Sequence, residues 1–175
     1  MKFVITGGPG CGKTTVLEVL ERMGYTVMSE SARKLIMEET ARGGRALPWD
    51  DWKGFQKAVL RMQLARENQV ADEHVFLDRA AIDTVAYFKL HGCEPDAEVL
   101  DACSRNGYSI VFMLEQLPRY KTDGVRMEDH MTAMKIAVLV ERAYIERGYH
   151  VIRVPVMPPV ERARFILGKT REVTK

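Results

Sequence analysis

Short apolar runs alternate with longer amphipathic stretches along this chain. The runs that predict strands are Phe3–Thr6, Tyr25–Met28, His74–Asp78, Tyr108–Leu114 and Val151–Val154. The stretches between them repeat apolar residues at helical spacing and predict a helix after residue 13 and helices over 32–42, 48–71, 79–90, 95–105, 128–147 and 158–168. Strands that alternate with helices predict an α/β fold with right-handed crossovers. We therefore expect one three-layer domain, residues 1–175, with a five-stranded mainly parallel sheet and helices on both faces.

The first predicted strand leads into a glycine-rich segment, Gly7–Thr14, with the sequence GGPGCGKT. It fits G-x-x-x-x-G-K-[ST], and its position between a strand and an amphipathic helix is that of a phosphate-binding P-loop. A chance glycine-rich turn is the alternative, which the two correct flanks disfavour. Lys13 is expected on the β- and γ-phosphates, with a catalytic role, and Thr14 on Mg²⁺. The residues predicted to bind a nucleoside triphosphate are Gly8, Pro9, Gly10, Cys11, Gly12, Lys13, Thr14 and Thr15.

Three carboxylates, Glu30, Asp78 and Glu115, fall at predicted strand ends, where ligands of parallel α/β sheets gather, and two of them are candidates for the chemistry. Asp78 closes an apolar strand and either holds Mg²⁺ together with Thr14, the interpretation we favour, or caps the next helix. Glu30 follows the second strand and either accepts the proton of an acceptor hydroxyl, as a catalytic base, or begins a solvated helix. Both carboxylates are therefore candidates for the chemistry at this edge of the sheet.

The residue after Asp78 is Arg79, and its type bears on the reaction. Motor ATPases of the AAA+ class usually place Glu there to activate water, whereas an arginine offsets charge on a phosphoryl group and cannot act as a base. No Asn-Lys-x-Asp sequence for reading guanine occurs in the chain. We therefore expect phosphoryl transfer to an acceptor rather than hydrolysis, with Arg79 taking part in catalysis.

Three further side chains are candidates for contacting the acceptor. Arg33 lies one helical turn after Glu30 and either clamps an anionic group or is a surface charge. Asp83 either faces the acceptor or pairs with Arg79, four residues earlier. Gln63 can hydrogen-bond an acceptor, although an exposed glutamine is the simpler expectation. Four apolar residues of the same long helix are expected to be core rather than a ligand-binding face: Trp52, Phe55, Val59 and Met62.

Residues 115–130 combine proline, glycine and mixed charges, which predicts a mobile lid loop that closes over the phosphates. Acidic neighbours cancel the basic charge of this loop, so it is not expected to attract anions in general. Instead, one arginine of the loop is expected to contact the phosphates. Arg126 is the first choice for a catalytic lid residue because Gly124 offers a hinge nearby, and Arg119 is the other. The alternative is that the charged residues of this loop are ordinary surface residues without a role in catalysis.

Composition narrows the range of partners. The formal net charge of +2 does not favour nucleic acid as a bulk electrostatic partner. Three scattered cysteines fit a reducing compartment better than a disulfide framework. No apolar run reaches the length of a membrane span, and no signal peptide precedes the first strand. A cytoplasmic monomer or homodimer is expected.

Five segments together resemble a known family: ITGGPGCGKTT, SESARKLI, FLDRAAIDTVAYFKLHG, YKTDGVRMED and GYHVIRVPVMPP. They are similar to small AAA-like P-loop ATPases and kinases, which are related to the nicotinamide riboside kinase domain and, more distantly, to deoxynucleoside and nucleoside monophosphate kinases. The likeness spans nearly the whole chain and implies a single kinase-like domain with the P-loop NTPase fold. It implies no hexameric motor, because the sequence has no second helical lid domain and no sensor motif.

The resemblance also implies roles for individual residues. In deoxynucleoside kinases a Glu ending the second strand is the base, and a carboxylate–arginine pair ends the third; Glu30, Asp78 and Arg79 match these positions. In related kinases the segment after the last strand lies against the nucleobase, which implies contacts from Val156 and Pro158. Nicotinamide riboside kinases tend to carry D-T-D where this chain has Leu-Asp-Arg at residues 77–79, so the acceptor need not be that riboside.

The sequence thus favours a kinase that uses Mg²⁺ and ATP to phosphorylate the hydroxyl of an unidentified small molecule, either nucleoside- or riboside-like or another alcohol. Two alternatives stay open at this point. One is a switch or binding module that responds to ATP or GTP and is linked to a lipid or a protein. The other is a simple ATPase.

Overall fold

The computed structural model describes residues 1–45, 47–70, 74–104, 107–118 and 129–173. Its strands are β1 Lys2–Thr6, β2 Thr26–Met28, β3 Val75–Asp78, β4 Ile110–Leu114 and β5 Val151–Val154. They form one sheet in the order β2-β3-β1-β4-β5, and each of its four pairings is parallel. The predicted α/β fold with a five-stranded, mainly parallel sheet is confirmed.

Helices cover both faces of this sheet. They are α1 Lys13–Arg22, α2 Ser31–Arg42, α3 Trp52–Gln69, α4 Asp83–Leu90, α5 Ala97–Ser104, α6 His130–Ile145 and α7 Pro159–Val173. Phe3 and Ile5 of β1 pack into an apolar core with α1 and α7, whereas Val4 between them packs into a second core with α3 to α6. Alternate side chains of a strand point to opposite faces, so the three-layer arrangement follows. Within the described ranges, none of these helices is both long and apolar enough to cross a bilayer.

The register of the sheet brings three strand ends together. Ile5 of β1 lies beside Asp78 of β3, and Met28 of β2 lies beside Leu77. Because parallel strands end at the same edge, the P-loop after β1, Glu30 after β2 and Asp78 at the end of β3 share one edge of the sheet. This edge is where ligands of such sheets bind.

The helix predicted to begin at Arg79 begins instead at Asp83. Arg79 has a φ of 66°, a left-handed conformation that residues other than glycine seldom adopt. Its backbone N–H donates to the Ile5 carbonyl at 3.0 Å, and the Asp83 carboxylate accepts from the Ala80 N–H at 3.2 Å. The prediction was wrong because contacts to a neighbouring strand and to a side chain hold this turn, and local helix propensity does not report either.

Two other helix ends differ from the predicted ones by four residues or more. The helix α3 begins at Trp52 rather than at residue 48, because Asp51 caps it by accepting from the Gly54 N–H at 3.0 Å. The helix α7 continues past Gly168 to Val173, since a glycine inside a helix costs only about 1 kcal/mol relative to alanine. Most of the predicted lid, residues 119–128, lies outside the described residues. Arg119 and Arg126 belong to this range.

Candidate active site

The P-loop joins β1 to α1 and surrounds a buried lysine. The Lys13 ammonium donates to the carbonyl oxygens of Gly7 at 3.1 Å and Gly8 at 3.0 Å, and the residue is 8% exposed. Gly12, which precedes α1, has a φ of 91°, a conformation that glycine adopts without steric cost. A buried cation, a turned backbone and a helix N-terminus thus form a cradle suited to an anion.

Gly8 lies where the P-loop passes closest to α6. A Cβ atom on Gly8 would lie 2.5 Å from the Ala133 carbonyl oxygen and 2.9 Å from Gln116 Oε1. The Gln116 amide in turn donates to the Pro9 carbonyl at 2.9 Å. The loop is therefore packed tightly between α6 and the segment after β4, with no room for a side chain at Gly8.

A buried arginine that sequence reasoning missed also holds the P-loop. Arg162 of α7 is 2% exposed and donates to three carbonyl oxygens: that of Cys11 at 2.6 Å, that of Glu115 at 3.0 Å and that of Pro155 at 2.9 Å. These partners belong to the P-loop and to the segments that follow β4 and β5. Burial lowers the pKa of the Arg162 guanidinium, and the planar fork serves three acceptors that a lysine cannot reach together.

Replacing Arg162 with Lys is expected to lower the free energy of unfolding by about 2–4 kcal/mol, because buried carbonyl groups lose their donors at about 1–3 kcal/mol each. The apparent affinity for nucleotide should fall as well, since the Cys11 carbonyl loses its support. Urea unfolding and nucleotide titration measure the two effects. Arg164→Lys is the matched control, because Arg164 lies on the same helix and is exposed. Equal effects of both substitutions would contradict the role of Arg162.

Asp78 ends β3 with a carboxylate that is buried and incompletely paired. The residue is 5% exposed, and its Oδ1 has no hydrogen-bond partner among the described residues. Burial raises the pKa of Asp78 to about 6, against the opposing charge of Lys13. A buried carboxylate oxygen without a donor is costly, so it invites a cation or a donor from a ligand.

Such an oxygen fits Mg²⁺, which takes hard oxygen ligands and keeps several waters. Asp78 and Thr14 line the same cavity, and Thr14 is exposed there, so its hydroxyl is accessible. The donor set of one carboxylate and one hydroxyl, next to an anion cradle, matches the way P-loop proteins hold this metal.

Glu30 and Arg79 form an ion pair beside the P-loop. The Arg79 guanidinium donates through Nε to Glu30 Oε1 at 2.8 Å and through Nη1 to the Gly7 carbonyl at 3.4 Å. Burial works to raise the pKa of Glu30, but the charges of Arg79, Lys13 and Arg33 outweigh it and hold that pKa below its usual value. Glu30 is therefore ionised at neutral pH and able to accept a proton.

Asp83 holds Arg79 from the other side. Its Oδ1 accepts from the Thr6 hydroxyl at 2.5 Å and from Arg79 Nη1 at 3.3 Å. Its Oδ2 accepts from the Tyr144 hydroxyl at 2.6 Å and from the Ala80 N–H at 3.2 Å. This carboxylate, 3% exposed, already has four donors. It is therefore suited to orienting Arg79. That Asp83 contacts an acceptor stays a prediction.

One cavity of about 1240 Å³ connects these groups. Its lining includes the P-loop residues from Pro9 to Thr15 other than Cys11, together with Glu30, Arg33, Asp78 and Arg79. It continues between α2, α3 and α4, and Lys135 of α6 contributes to it as well. Pockets for one small ligand span about 300–1,000 Å³, so the cavity has room for a second molecule beside a nucleotide.

A family model described as an AAA domain matches residues 2–162. The chain belongs to this AAA domain family. The matched range contains the P-loop, Glu30, Asp78 and Arg162. The family expected from the sequence is thereby confirmed. Among curated protein sequences, none matches this AAA domain.

Solved structures show the same fold at low sequence identity. Deoxyadenosine kinase from M. mycoides, with dCMP and dCDP bound, has a TM-score of 0.67 and 17% identity, over 98% of this chain and 100% of its own chain. NadR in complex with NR has a TM-score of 0.71 and 20% identity, over 96% of this chain and 50% of its own chain. Shikimate kinase from Acinetobacter baumannii, in complex with shikimate, has a TM-score of 0.61 and 19% identity, over 98% and 93% of the two chains. The AAA domain thus has the fold of P-loop kinases.

Gln63 differs from the expectation of an exposed side chain. It is 4% exposed; its Oε1 accepts from the Ser31 hydroxyl at 2.6 Å, and its amide nitrogen donates to Glu67 at 2.9 Å and to the Arg79 carbonyl at 3.2 Å. Helical spacing did not reveal the burial because a glutamine on a packed face looks like a solvated one. Gln63 links α2, α3 and the turn after β3, so its role toward an acceptor stays a prediction.

The other predicted residues of the AAA domain fall into two groups. Arg33 is exposed and lines the cavity near Glu30. Val156 and Pro158 are exposed in the segment after β5 and are not among the described residues that line the cavity. Their contacts with a nucleobase therefore stay a prediction, as does the catalytic role of Arg126.

Proposed function

We propose that this AAA domain is a kinase that transfers the γ-phosphoryl group of ATP to the hydroxyl of a small acceptor molecule. The observation that carries the proposal is the shared cavity, in which the Lys13 cradle lies at one end and an ionised carboxylate, Glu30, faces the remaining space. A hydrolase needs room for a water, whereas this cavity extends well beyond Glu30 between three helices. The fold of P-loop kinases supports the same reaction class.

In the proposed step, the acceptor oxygen forms a bond to the γ-phosphorus while the bond from that phosphorus to the β–γ bridging oxygen breaks. The acceptor proton moves to the Glu30 carboxylate, and the electron pair of the broken bond leaves with ADP. Lys13 offsets the charge on the β- and γ-phosphates, and Arg79 positions Glu30 through the 2.8 Å hydrogen bond. Mg²⁺, held by Thr14 and Asp78, supplies further positive charge at the phosphates when bound.

The test is release of ADP from Mg-ATP, without an acceptor and with a panel of nucleosides, ribosides, sugars and prenyl alcohols. The proposal predicts release that rises with one acceptor class, together with a product heavier by one phosphoryl group in mass spectrometry. Omission of Mg²⁺ should abolish the release of ADP. Steady release of phosphate without any acceptor would identify an ATPase instead. Tight nucleotide binding without turnover on any acceptor would identify a switch or binding module.

A further inference from the structure

We infer that the acceptor of this AAA domain is an uncharged alcohol with a large apolar or aromatic body, and that it carries no phosphate or carboxylate group of its own. The inference rests on the proposed function and names its substrate class. Two independent features of the cavity lead to it, the nature of its far wall and the balance of its charges.

The far wall of the cavity is mainly apolar, although Gln56 and His91 line it as well. It is lined by Ile36, Trp49, Trp52, Phe55, Val59 and Leu90, which come from α2, the segment before α3, α3 and α4. The Trp52 ring packs on Phe88, with centroids 5.1 Å apart, and on His91, with centroids 4.1 Å apart, so its position is fixed by its neighbours. Trp49, by contrast, is 60% exposed. Covering such a wall with an apolar ligand is favourable because it removes apolar surface from water.

The same wall corrects an expectation from the sequence. Trp52, Phe55 and Val59 repeat at helical spacing and were expected to be core only. Phe55 is 4% exposed, yet all three line the cavity. The face of α3 that carries them packs against the protein along part of its surface and borders the cavity along the rest. A ligand-binding wall and a core face have the same sequence pattern.

The charges around the acceptor end do not favour an anion. Among the described residues, the charged side chains that line the cavity are four acids and four bases: Glu30, Asp78, Asp83, Asp129, Lys13, Arg33, Arg79 and Lys135. Lys13 is expected on the phosphates of the nucleotide. Arg79 is already bound to Glu30 at 2.8 Å and to Asp83 at 3.3 Å. The described lining therefore has no surplus of positive charge to offset the negative charge of an acceptor with its own phosphate.

The two tryptophans of the chain, Trp49 and Trp52, make the inference measurable without turnover. Their fluorescence is titrated with AMP-PNP and Mg²⁺ present, so that the P-loop is filled and cannot itself bind an anionic probe. The uncharged probes are thymidine, adenosine, geraniol and farnesol, and the anionic probes are thymidine monophosphate and shikimate. We expect at least one uncharged probe to bind about tenfold or more tightly than both anionic probes. The nucleoside and prenyl arms decide whether the body is aromatic or aliphatic.

Two variants test the wall itself. Val59→Thr keeps the size of the side chain but adds a hydroxyl to the apolar wall, and Val59→Asp adds a charge. We expect Kd for the uncharged probe to rise about threefold to tenfold in the first and more in the second. Met62→Thr is the control, because Met62 lies on the same helix and is not among the described residues that line the cavity. Val59→Thr remains informative if Val59→Asp fails to fold.

The outcomes separate this inference from the proposed kinase reaction. Binding of an uncharged probe without any turnover would support the inference and contradict the kinase. Phosphorylation of thymidine monophosphate or shikimate, or tighter binding of either, would overturn the inference and leave the kinase standing. Failure of every uncharged probe to bind at millimolar concentration would also overturn it, and so would equal effects of the Val59 and Met62 substitutions.

Discussion

Replacing Glu30 with Gln should lower turnover with the acceptor by about 10²–10⁴-fold, the usual contribution of a general base. Glutamine has nearly the same shape, and its carbonyl oxygen can still accept from Arg79, where Glu30 Oε1 now does so at 2.8 Å. Local geometry is therefore retained while the site for the acceptor proton is lost. Nucleotide affinity should change little, because the Lys13 cradle is untouched. Steady-state ADP release and nucleotide titration measure the two quantities.

Glu38→Gln is the matched control for this substitution, since Glu38 lies exposed on α2, the helix that begins directly after Glu30. It should behave as the unaltered protein. Retention of full turnover in Glu30→Gln would remove Glu30 as the base and favour a switch. A loss of nucleotide binding equal to the loss of turnover would place Glu30 in the phosphate cradle instead.

The two neighbouring buried carboxylates should respond to neutralisation in opposite ways. Asp83→Asn is expected to lower the free energy of unfolding by about 3 kcal/mol or more, because an amide places an N–H₂ group among four donors and weakens charge-assisted hydrogen bonds. Asp78→Asn is expected to raise it in the nucleotide-free protein, by up to about 3 kcal/mol at neutral pH. That figure converts the rise in the pKa of Asp78 from 3.8 to about 6 at about 1.4 kcal/mol per pH unit.

The sign of the Asp78 effect follows from linkage. A carboxyl whose folded-state pKa lies above its unfolded value destabilises the fold where both states are ionised, above pH 6 here. The penalty declines as the pH falls from about 6 toward 3.8 and vanishes below both values. Asp78→Asn should therefore be more stable than the unaltered protein at pH 7.5, nearly equal to it at pH 4, and without turnover.

Urea unfolding at pH 7.5 and pH 4, with EDTA and without nucleotide, measures the free energy of unfolding of Asp78→Asn, Asp83→Asn and the unaltered protein. If both substitutions destabilised the protein alike, the carboxylate of Asp78 would have a partner that compensates its burial, and its availability to a metal ion would be contradicted. The experiment therefore tests the metal site without any metal present.

Much of this structure could be predicted because the chain is locally consistent. The strands at residues 3–6 and 110–114 are continuous apolar runs, as buried parallel strands are. The P-loop could be recognised from its motif together with the strand and the helix that flank it. Glu30 and Asp78 were found because a carboxylate that ends an apolar run is conspicuous. In each case a few neighbouring residues contain the signal.

What escaped prediction depends on partners that are distant in sequence. Arg162 and Arg164 look alike in the segment ERARF, yet Arg162 is buried and Arg164 is exposed. A signal was present, because Arg162 precedes Ile166 and Thr170 by four and eight residues and all three lie on the buried face of α7. A charged residue on an apolar helix face is easily taken for an irregularity. The left-handed turn at Arg79 had no such signal, since tertiary hydrogen bonds alone select it.

The contacts of Arg162 have a consequence for the order in which the molecule can mature during synthesis. The P-loop leaves the ribosome well before the arginine that binds its Cys11 carbonyl at 2.6 Å, because that arginine lies in α7, about 150 residues later. Domains generally fold as units once enough chain has emerged. The nucleotide cradle therefore cannot be completed while α7 is still unmade, so the P-loop is synthesised before the contact that completes it can form.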